Sequence, residues 1–466
     1  MSGGRIVAAS ATWFFLACAG AAPRPPLQPV TPMTLARVPA PSIPSNVEFE
    51  TPRPRVTRLA NGLQIIRVNH PSSPPVAMLV APRYGTSPFE GLMLHAAVDA
   101  LGARTKRGVE SRVFSAPSFA ALEVRSEPEG FAAAIRQLVG FQSQPTFDPE
   151  SFHASKIDYL QSEVENAFYT ETRTRVVARR QMYGKDHVWA QDSRDAIERL
   201  QNMQPDVASR LLINRFAHDR SALILVGPES VFPRFQGEEA LRVEEARAKP
   251  GSLDEPVRSE PRGADWDIGA FWVDTPQTYL RVMHLGPPQS DRKAFAAFVL
   301  LAELLGDRTS SPNAELRLRE GATYGVRTSL AVRDAVTELF WVGRVANASA
   351  VDALVQHRDS IVDAQEGRID TQALERAKAR RRLFDLRLWT TSTSIAQVYA
   401  TRWSLGLGLD SVESDYDYDH VQASDVRRVA ARYLDPRAMV VTVEGKPNTL
   451  YRQLSRYGKV TGYQME

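Results

Sequence analysis

An arginine and a tyrosine seven residues apart could together supply two hydrogen-bond donors to a reacting group. The segment 316–324 reads Leu-Arg-Leu-Arg-Glu-Gly-Ala-Thr-Tyr, in which Gly321 is a plausible helix stop and Tyr324 opens a strand-like stretch. Because the helix end and the strand start meet at the turn, Arg317 and Tyr324 can converge. Together they could donate hydrogen bonds to a peptide carbonyl or to the oxyanion formed from it. The alternative is structural, with Arg317 in a surface ion pair and Tyr324 half-buried in a sheet.

A second, weaker candidate is a pair of metal-ligand types on one predicted helix. His95 and Asp99 are four residues apart, so they share one face of that helix. The other seven histidines show no paired ligand spacing. The sequence contains no phosphate-binding glycine loop and no Gly-x-Ser-x-Gly elbow. A single helix histidine near a surface is therefore the commoner interpretation of His95.

The only Cys of the chain lies at the end of an N-terminal apolar run. Arg5 precedes an apolar stretch that is too short to span a bilayer but suits a secretory signal, and Cys18 follows in Phe-Leu-Ala-Cys. This order resembles a bacterial lipoprotein signal, which predicts lipidation of Cys18. The alternative is an ordinary signal peptide that is removed together with Cys18. One Cys excludes an intramolecular disulfide framework and a Cys-rich zinc module.

The composition is that of a soluble protein with real cores. The chain has 466 residues, a net charge of +3, 43% hydrophobic and 24% charged residues, with both signs in near balance. These values exclude wholesale disorder and give no indication of nucleic-acid binding. Ten of the 31 prolines lie between Pro23 and Pro54, which favours an extended tether between an anchor and a folded body.

The sequence after the tether contains an internal repeat. Three segments recur in the same order: Leu101–Thr105 as Leu305–Thr309, Phe147–Phe152 as Ile369–Leu374, and Asp206–Val226 as Asp425–Val443. Three matches in order indicate a duplicated domain of roughly 200 residues. The predicted organisation is a signal peptide (1–18), a Pro-rich tether (19–54), an N-terminal domain (55–234), a charged linker (235–264) and a C-terminal domain (265–466).

Each copy begins with strands and then becomes helical. Asn61-Gly62 between two apolar runs is a strong hairpin signal, and Asp148 and Asp370 are the predicted N-caps of two long helices. Strands grouped with hairpins and followed by helices predict an α+β fold. We expect two homologous domains, each a mostly antiparallel sheet with helices packed on one face.

The duplicated domain, introduced by Leu59-x-Asn61-Gly62-Leu63, resembles the pitrilysin/insulinase family of zinc metallopeptidases in its mitochondrial-processing-peptidase-like branch. The resemblance covers about residues 50 to 450 and implies a half-clam architecture. Segment 316–324 is similar to the family's second-half signature, in which the Arg and Tyr contact the peptide. A Ser-rich turn of the family corresponds to Thr309-Ser310-Ser311-Pro312.

The zinc motif of that family, His-x-x-Glu-His on the first helix, is missing here. The three key positions become Leu94, Ala97 and Val98 in one alignment, and His95, Val98 and Asp99 in the other. Neither alignment keeps two histidines or the general base. The resemblance places the third ligand on the helix that carries Glu163 and Glu165. A degenerate metal site of His95, Asp99 and Glu163 is a remote alternative, and solvated helix glutamates are the commoner interpretation.

The resemblance therefore implies a chain that binds no metal itself and works with a zinc-bearing homologous subunit. In such a heterodimer, Arg317 and Tyr324 would stabilise the transition state of peptide hydrolysis, and the chain alone would be inactive. Its expected place is the bacterial outer membrane, anchored through Cys18 and facing the periplasm. Two alternatives stay open: a catalytically inert peptide-binding or structural homologue, and an autonomous metallopeptidase with altered ligands.

Overall fold

The computed structural model describes residues 51–71, 74–83, 88–104, 108–191, 197–241, 265–307, 323–333, 335–410 and 418–464. The predictions for Cys18, the tether and Arg317 lie outside the described residues. Tyr324 is described through its backbone. In the described part of the chain, no helix is long and apolar enough to cross a membrane.

The first sheet contains strands from residues 54 to 240, in the order β4-β5-β3-β6-β2-β1-β7. Its strands are β1 (Pro54–Arg58), β2 (Gln64–Asn69), β3 (Val76–Pro82), β4 (Val109–Ser115), β5 (Phe119–Ser126), β6 (Ala222–Gly227) and β7 (Glu239–Ala240). The hairpin predicted at Asn61-Gly62 is confirmed: β1 and β2 are antiparallel, and Gly62 turns the chain with φ of 93°. β2 and β6 run parallel, whereas the other pairs are antiparallel.

The second sheet repeats this layout in the order β10-β11-β9-β12-β8-β13. Its strands are β8 (Trp266–Trp272), β9 (Gln277–Gly286), β10 (Thr323–Val332), β11 (Thr337–Ala346), β12 (Val440–Gly445) and β13 (Gly458–Tyr463). Five successive strands occupy matching places in the two sheets. The edge next to β8 differs, because β13 runs parallel to it whereas β1 runs antiparallel to β2. The duplication inferred from the sequence is thus visible in strand order.

Helices follow the same duplicated order. The first half carries α1 (Pro88–Arg104), α2 (Pro128–Ser143), α3 (Pro149–Phe168), α4 (Thr170–Tyr183), α5 (Ile197–Gln201) and α6 (Pro205–Arg215). The second half carries α7 (Arg292–Leu305), α8 (Ala350–Glu366), α9 (Thr371–Leu388), α10 (Ser392–Ser404), α11 (Ala423–Tyr433) and α12 (Pro447–Leu454). Both predicted N-caps are confirmed: Asp148 accepts from the Ser151 N–H and Asp370 from the Gln372 N–H, each at 2.9 Å.

A buried lysine recurs in the two long helices α3 and α9. Lys156 Nζ donates to the backbone oxygen of Gln201 at 2.7 Å, just before α6. Lys378 Nζ donates to the backbone oxygen of Asp419 at 3.2 Å, just before α11. Each lysine satisfies carbonyl oxygens of an incoming loop, so the repeat extends to individual polar contacts.

Each sheet is covered by helices on both faces. On one face lie the helices of its own half: α1, α2 and α6 on the first sheet, and α7, α8 and α11 on the second. The other face is covered by a helix from the opposite half: α10 lies on the first sheet and α4 on the second. We call α4 and α10 the exchanged helices. The α+β class and the two helix-packed sheets are as predicted, and the exchange adds a second covered face that the sequence pattern did not indicate.

Candidate functional site

Tyr324 lies at the start of β10, the strand at one edge of the second sheet. The prediction that a strand begins here is confirmed. The pairing of β10 with β11 shifts register between Thr323 and Val326, and Gly325 has φ of 129°, which an L-residue rarely adopts. Such a bulge bends an edge strand and re-aims its side chains. The predicted approach of Arg317 to Tyr324 stays a prediction.

The N-terminal end of exchanged helix α4 lies against the same sheet edge. Arg327 on β10 pairs with Glu171 at 3.0 Å, and Arg344 on β11 donates to Thr170 Oγ1 at 3.3 Å. Immediately before α4, Phe168 and Tyr169 are 65% and 62% exposed. An exposed aromatic pair therefore lies at the end of α4 that contacts β10 and β11.

Buried ion pairs hold α4 on the second sheet. Arg173 pairs with Glu444 of β12 at 2.5 Å, and both side chains are nearly inaccessible. Glu338 of β11 is fully buried and accepts from Arg179 at 2.7 Å and from Arg333 at 3.3 Å. Shared, charge-assisted contacts of this kind are the way in which proteins accommodate a buried carboxylate.

Two neighbouring groups at this interface have pKa values shifted in opposite directions. Burial alone would raise the pKa of Glu338, but the charges of Arg179 and Arg333 outweigh it and lower this pKa below its usual range. Tyr183 donates its hydroxyl to Glu338 at 3.1 Å, and burial, with the Glu338 charge, raises the pKa of the phenol. The carboxylate is therefore ionised and the phenol is protonated near neutral pH.

The α1 face that should carry the zinc motif is apolar. Leu94 and Ala97 are buried in the core beneath the first sheet, and Val98 packs against the same core. No ligand atom is supplied by these three positions. In the alignment on Gly-Leu, the three zinc-motif positions therefore belong to the apolar face of α1 that packs into the core.

His95 and Asp99 face α3 and are used in local contacts. Their side chains are 42% and 46% exposed, and His95 Nε2 lies 3.9 Å from Asp99 Oδ2. Asp99 Oδ2 also accepts from Ser155 at 2.5 Å, and the His95 ring lies 5.9 Å from the ring of Tyr159. These contacts fix the carboxylate and the imidazole to α3.

Glu163 interacts with the hydroxyl of Tyr159 on the same helix. Burial raises the pKa of Tyr159, and the charge of Glu163 raises it further. The Tyr159 hydroxyl lies so close to Gly91 that a Cβ there would be 2.1 Å from it, which explains why α1 carries a glycine at this crossing. Glu90 of α1 pairs instead with Arg215 at 3.1 Å and with Arg83 at 3.6 Å.

Within the described ranges, no group of three His, Cys, Asp or Glu side chains could hold a metal ion. His95, Asp99 and Glu163 are thus not assembled into a ligand set, and Glu165 bonds with Gln161 at 3.1 Å on the α3 surface. A cavity of about 220 Å³ opens between α1 and the start of α3. Its α1 wall consists of Ala96, Ala100 and Ala103, so it is a gap beside small residues and not a metal pocket.

Comparisons with solved structures identify the class of fold. An inactive M16 peptidase domain from Pseudomonas fluorescens superimposes with a TM-score of 0.68 at 16% identity, covering 85% of this chain and 98% of that one. A chain of complex III2 from Candida albicans, solved with Inz-5 bound, gives 0.66 at 13%, covering 87% and 100%. A protease from Helicobacter pylori gives 0.64 at 13%, covering 85% and 100%.

The architecture is therefore that of an M16 peptidase-like pair of half-domains. No protein-family model matches the sequence, and no curated protein shows significant sequence similarity to it. At these identities the likeness concerns the fold. The structural similarity to M16-type domains includes one described as inactive.

The arginines around α4 are the functional candidates that the sequence reasoning missed. Glu171, Arg175 and Arg179 are spaced by four residues and so share one face of the helix. That spacing could be recognised in the sequence. The approach of Arg281 and Glu338 on the second sheet to this face could not be recognised, because the sequence did not reveal that α4 crosses to that sheet.

Proposed function

We propose that this chain is the non-zinc subunit of a two-chain, M16-type metallopeptidase. The observation that carries the proposal is the burial of Leu94 and Ala97 in an apolar core at the positions where the resemblance expects a His ligand and the general base. The M16-like fold, together with the lack of a metal-binding group on the described residues, supports a role alongside a zinc-bearing partner.

Arg317 and Tyr324 supply the proposed catalytic contribution. The guanidinium and the phenol donate hydrogen bonds to the scissile carbonyl oxygen, and these bonds strengthen as negative charge develops on that oxygen. The zinc of the partner subunit would polarise the carbonyl and lower the pKa of a bound water. Tyr324 lies at the start of an edge strand, and the exposed Phe168 and Tyr169 precede the end of α4 that contacts this strand through Arg327 and Glu171. Both features support a role across an interface.

The test is reconstitution with the zinc-bearing partner that co-purifies with the native protein. Replacing Arg317 by Ala or Tyr324 by Phe should lower kcat/KM of the pair about 10²-fold, by analogy with the loss of an oxyanion donor, while leaving assembly intact. Arg136→Ala and Tyr451→Phe are matched controls, because they alter exposed residues of the same types away from the 316–324 segment. Unchanged peptide hydrolysis in both Arg317 and Tyr324 variants would instead support an inert binding or structural homologue.

The autonomous alternative is tested on the purified chain alone. Metal analysis, combined with a peptidase assay with and without a chelator, should show no stoichiometric zinc and no chelator-sensitive activity. Stoichiometric zinc with chelator-sensitive hydrolysis would reject the proposed division of labour between two chains.

Anchoring at the outer membrane through Cys18 is the remaining part of the proposal. Its basis is the lipoprotein-like order of residues around the only Cys. Cys18→Ser should move the protein from the membrane to the soluble envelope fraction and abolish labelling by a palmitate analogue. Labelling that persists in Cys18→Ser, or a wild-type protein that is never labelled, would contradict it.

A further inference from the structure

The interface between α4 and the second sheet carries more positive than negative charge. Among the described residues of α4, β9, β10, β11, β12 and the turn after β10, there are eight arginines and three glutamates. The arginines are Arg173, Arg175, Arg179, Arg180, Arg281, Arg327, Arg333 and Arg344, and the glutamates are Glu171, Glu338 and Glu444. Buried or half-buried charges of one sign repel one another, so a surplus of this kind favours an anionic ligand.

Arg281 contributes a buried charge that forms no ion pair with a carboxylate of the described residues. Its guanidinium donates to Thr174 Oγ1 at 3.2 Å, to the backbone oxygen of Glu171 at 3.0 Å and to the Tyr279 hydroxyl at 3.0 Å. All three acceptors are neutral, and the side chain is almost inaccessible. Burial lowers the pKa of Arg281 to about 10, and the charge of Arg175 acts in the same direction. The guanidinium is still charged near neutral pH.

Arg175 lies on the same face of α4, between two satisfied ion pairs. One turn before Arg175, Glu171 forms an ion pair with Arg327. One turn after it, Arg179 forms an ion pair with Glu338. Arg175 itself forms no ion pair with any carboxylate of the described residues. Part of its side chain is exposed, yet the atoms packed around its guanidinium lower the pKa of the group by burial, and the charge of Arg179 lowers it further. It follows Thr174, the residue to which Arg281 donates. Arg175 and Arg281 are therefore close enough for their charges to interact, and neither forms an ion pair with a carboxylate in the described part of the chain.

We propose that Arg175 and Arg281 form a subsite for a carboxylate of the bound peptide, from an acidic side chain or from the peptide's C-terminus. A guanidinium fork matches a carboxylate, and the ligand would relieve the repulsion between the two arginines. The inference rests on the proposed function, because the subsite borders the sheet edge that begins with Tyr324. It deepens that function by giving the peptide a charge preference.

The experiment measures peptide binding to the full chain alone by fluorescence anisotropy. The probes are a short labelled peptide rich in glutamate and the same peptide with glutamine at every glutamate, each with a free or an amidated C-terminus. We expect tighter binding of the glutamate peptide, and about a tenfold loss in Arg175→Gln. If amidation weakens binding and the Glu-to-Gln change does not, the C-terminal carboxylate is the ligand. If the Glu-to-Gln change weakens binding and amidation does not, the ligand is an acidic side chain.

Arg136→Gln is the matched control, since Arg136 is exposed on α2 and its loss changes the net charge equally. It should bind the glutamate peptide as the wild type does. Equal binding of all four peptides, or an equal loss in Arg136→Gln, would overturn the subsite. The binding experiment uses the chain without its partner, so it is independent of turnover. If acidic peptides do not bind selectively but the Arg317 and Tyr324 variants still lower turnover of the pair, only the subsite is rejected. Selective binding without those effects rejects the proposed catalytic role alone.

Discussion

The two exchanged helices perform the same structural task with opposite chemistry. Helix α10 lies on the first sheet through fully buried Ile395, Tyr399 and Trp403, which meet aliphatic residues of β2, β3 and β6. Helix α4 lies on the second sheet through a smaller apolar cluster, which includes Ala178 and Tyr183, and through ion pairs such as Arg173 with Glu444. Hydrocarbon contacts are nondirectional and stabilise without charge, whereas paired charges must overcome desolvation. We therefore expect α10 to contribute to stability mainly through apolar burial, and α4 to do so partly through paired charges.

Two buried carboxylates show the contrast within a single residue type. Glu338 under α4 is contacted by Arg179 and Arg333, which lower its pKa. Glu123 under α10 interacts with Thr393, and burial raises its pKa more than this contact and the charges of Arg112 and Arg125 lower it. Acidification should therefore weaken the contribution of Glu338 and not that of Glu123.

The largest expected effect is at the apolar helix. Trp403→Ala removes a fully buried indole and its hydrogen bond to Gln64, so the free energy of unfolding should fall by about 4 kcal/mol. Chemical denaturation measures this loss. Phe384→Ala on α9 removes an aromatic side chain that is half exposed, and should cost under about 1 kcal/mol. Equal losses in the two variants would mean that α10 is not a principal contributor to stability.

At the polar helix, breaking one buried network should cost nearly as much. Glu338→Gln leaves Arg179 and Arg333 without their carboxylate, and we expect a loss of about 3 kcal/mol in the free energy of unfolding. Glu171→Gln is the matched change in a pair whose partners are both more than half exposed, and it should cost under about 1 kcal/mol. A small effect for Glu338→Gln would show that the buried charges barely stabilise the docking of α4.

A buried histidine pair on the second sheet, on the face opposite to α4, should make the stability of the protein sensitive to acid. His284 of β9 and His357 of α8 are buried with their Nε2 atoms 3.1 Å apart. Burial lowers the pKa of His284 to about 4; burial and then the charge of His284 hold the pKa of His357 well below its usual range. Since the unfolded chain binds these protons first, stability should fall between pH 7 and pH 5, by about 2 kcal/mol from His284, and the lowered pKa of His357 acts in the same direction.

Glu338 does not contribute to that window, because its lowered pKa keeps it ionised until the pH falls below the ordinary glutamate range. Denaturation curves at several pH values test the histidine pair. His284→Gln should give a shallower pH dependence than the wild type, whereas the exposed His153→Gln on α3 should not change it. Identical slopes in all three proteins would assign the acid sensitivity to other groups.

The sequence predicted the local structure well and the long-range placement poorly. The hairpin at Asn61-Gly62 and the caps Asp148 and Asp370 depend on residues within a few positions of one another, so their patterns were readable. The crossing of α4 to the other sheet depends on contacts such as Arg173 with Glu444, which are far apart in the chain. No periodicity encodes such a partner. The same limit hid the arginine surplus, although the Glu171-Arg175-Arg179 spacing was present.

The smallest expected effect tests whether the charge surplus is a structural cost. If Arg175 and Arg281 repel each other in the unliganded chain, Arg175→Gln should raise the free energy of unfolding by about 0.5 kcal/mol at low ionic strength. High salt should abolish the gain, because Arg175 is exposed and its charge is screened. Arg136→Gln should show no comparable gain. A variant that binds acidic peptide less well and is yet more stable would mark Arg175 as a binding residue kept at the expense of stability. A destabilised Arg175→Gln would instead make the arginine part of the scaffold that holds α4.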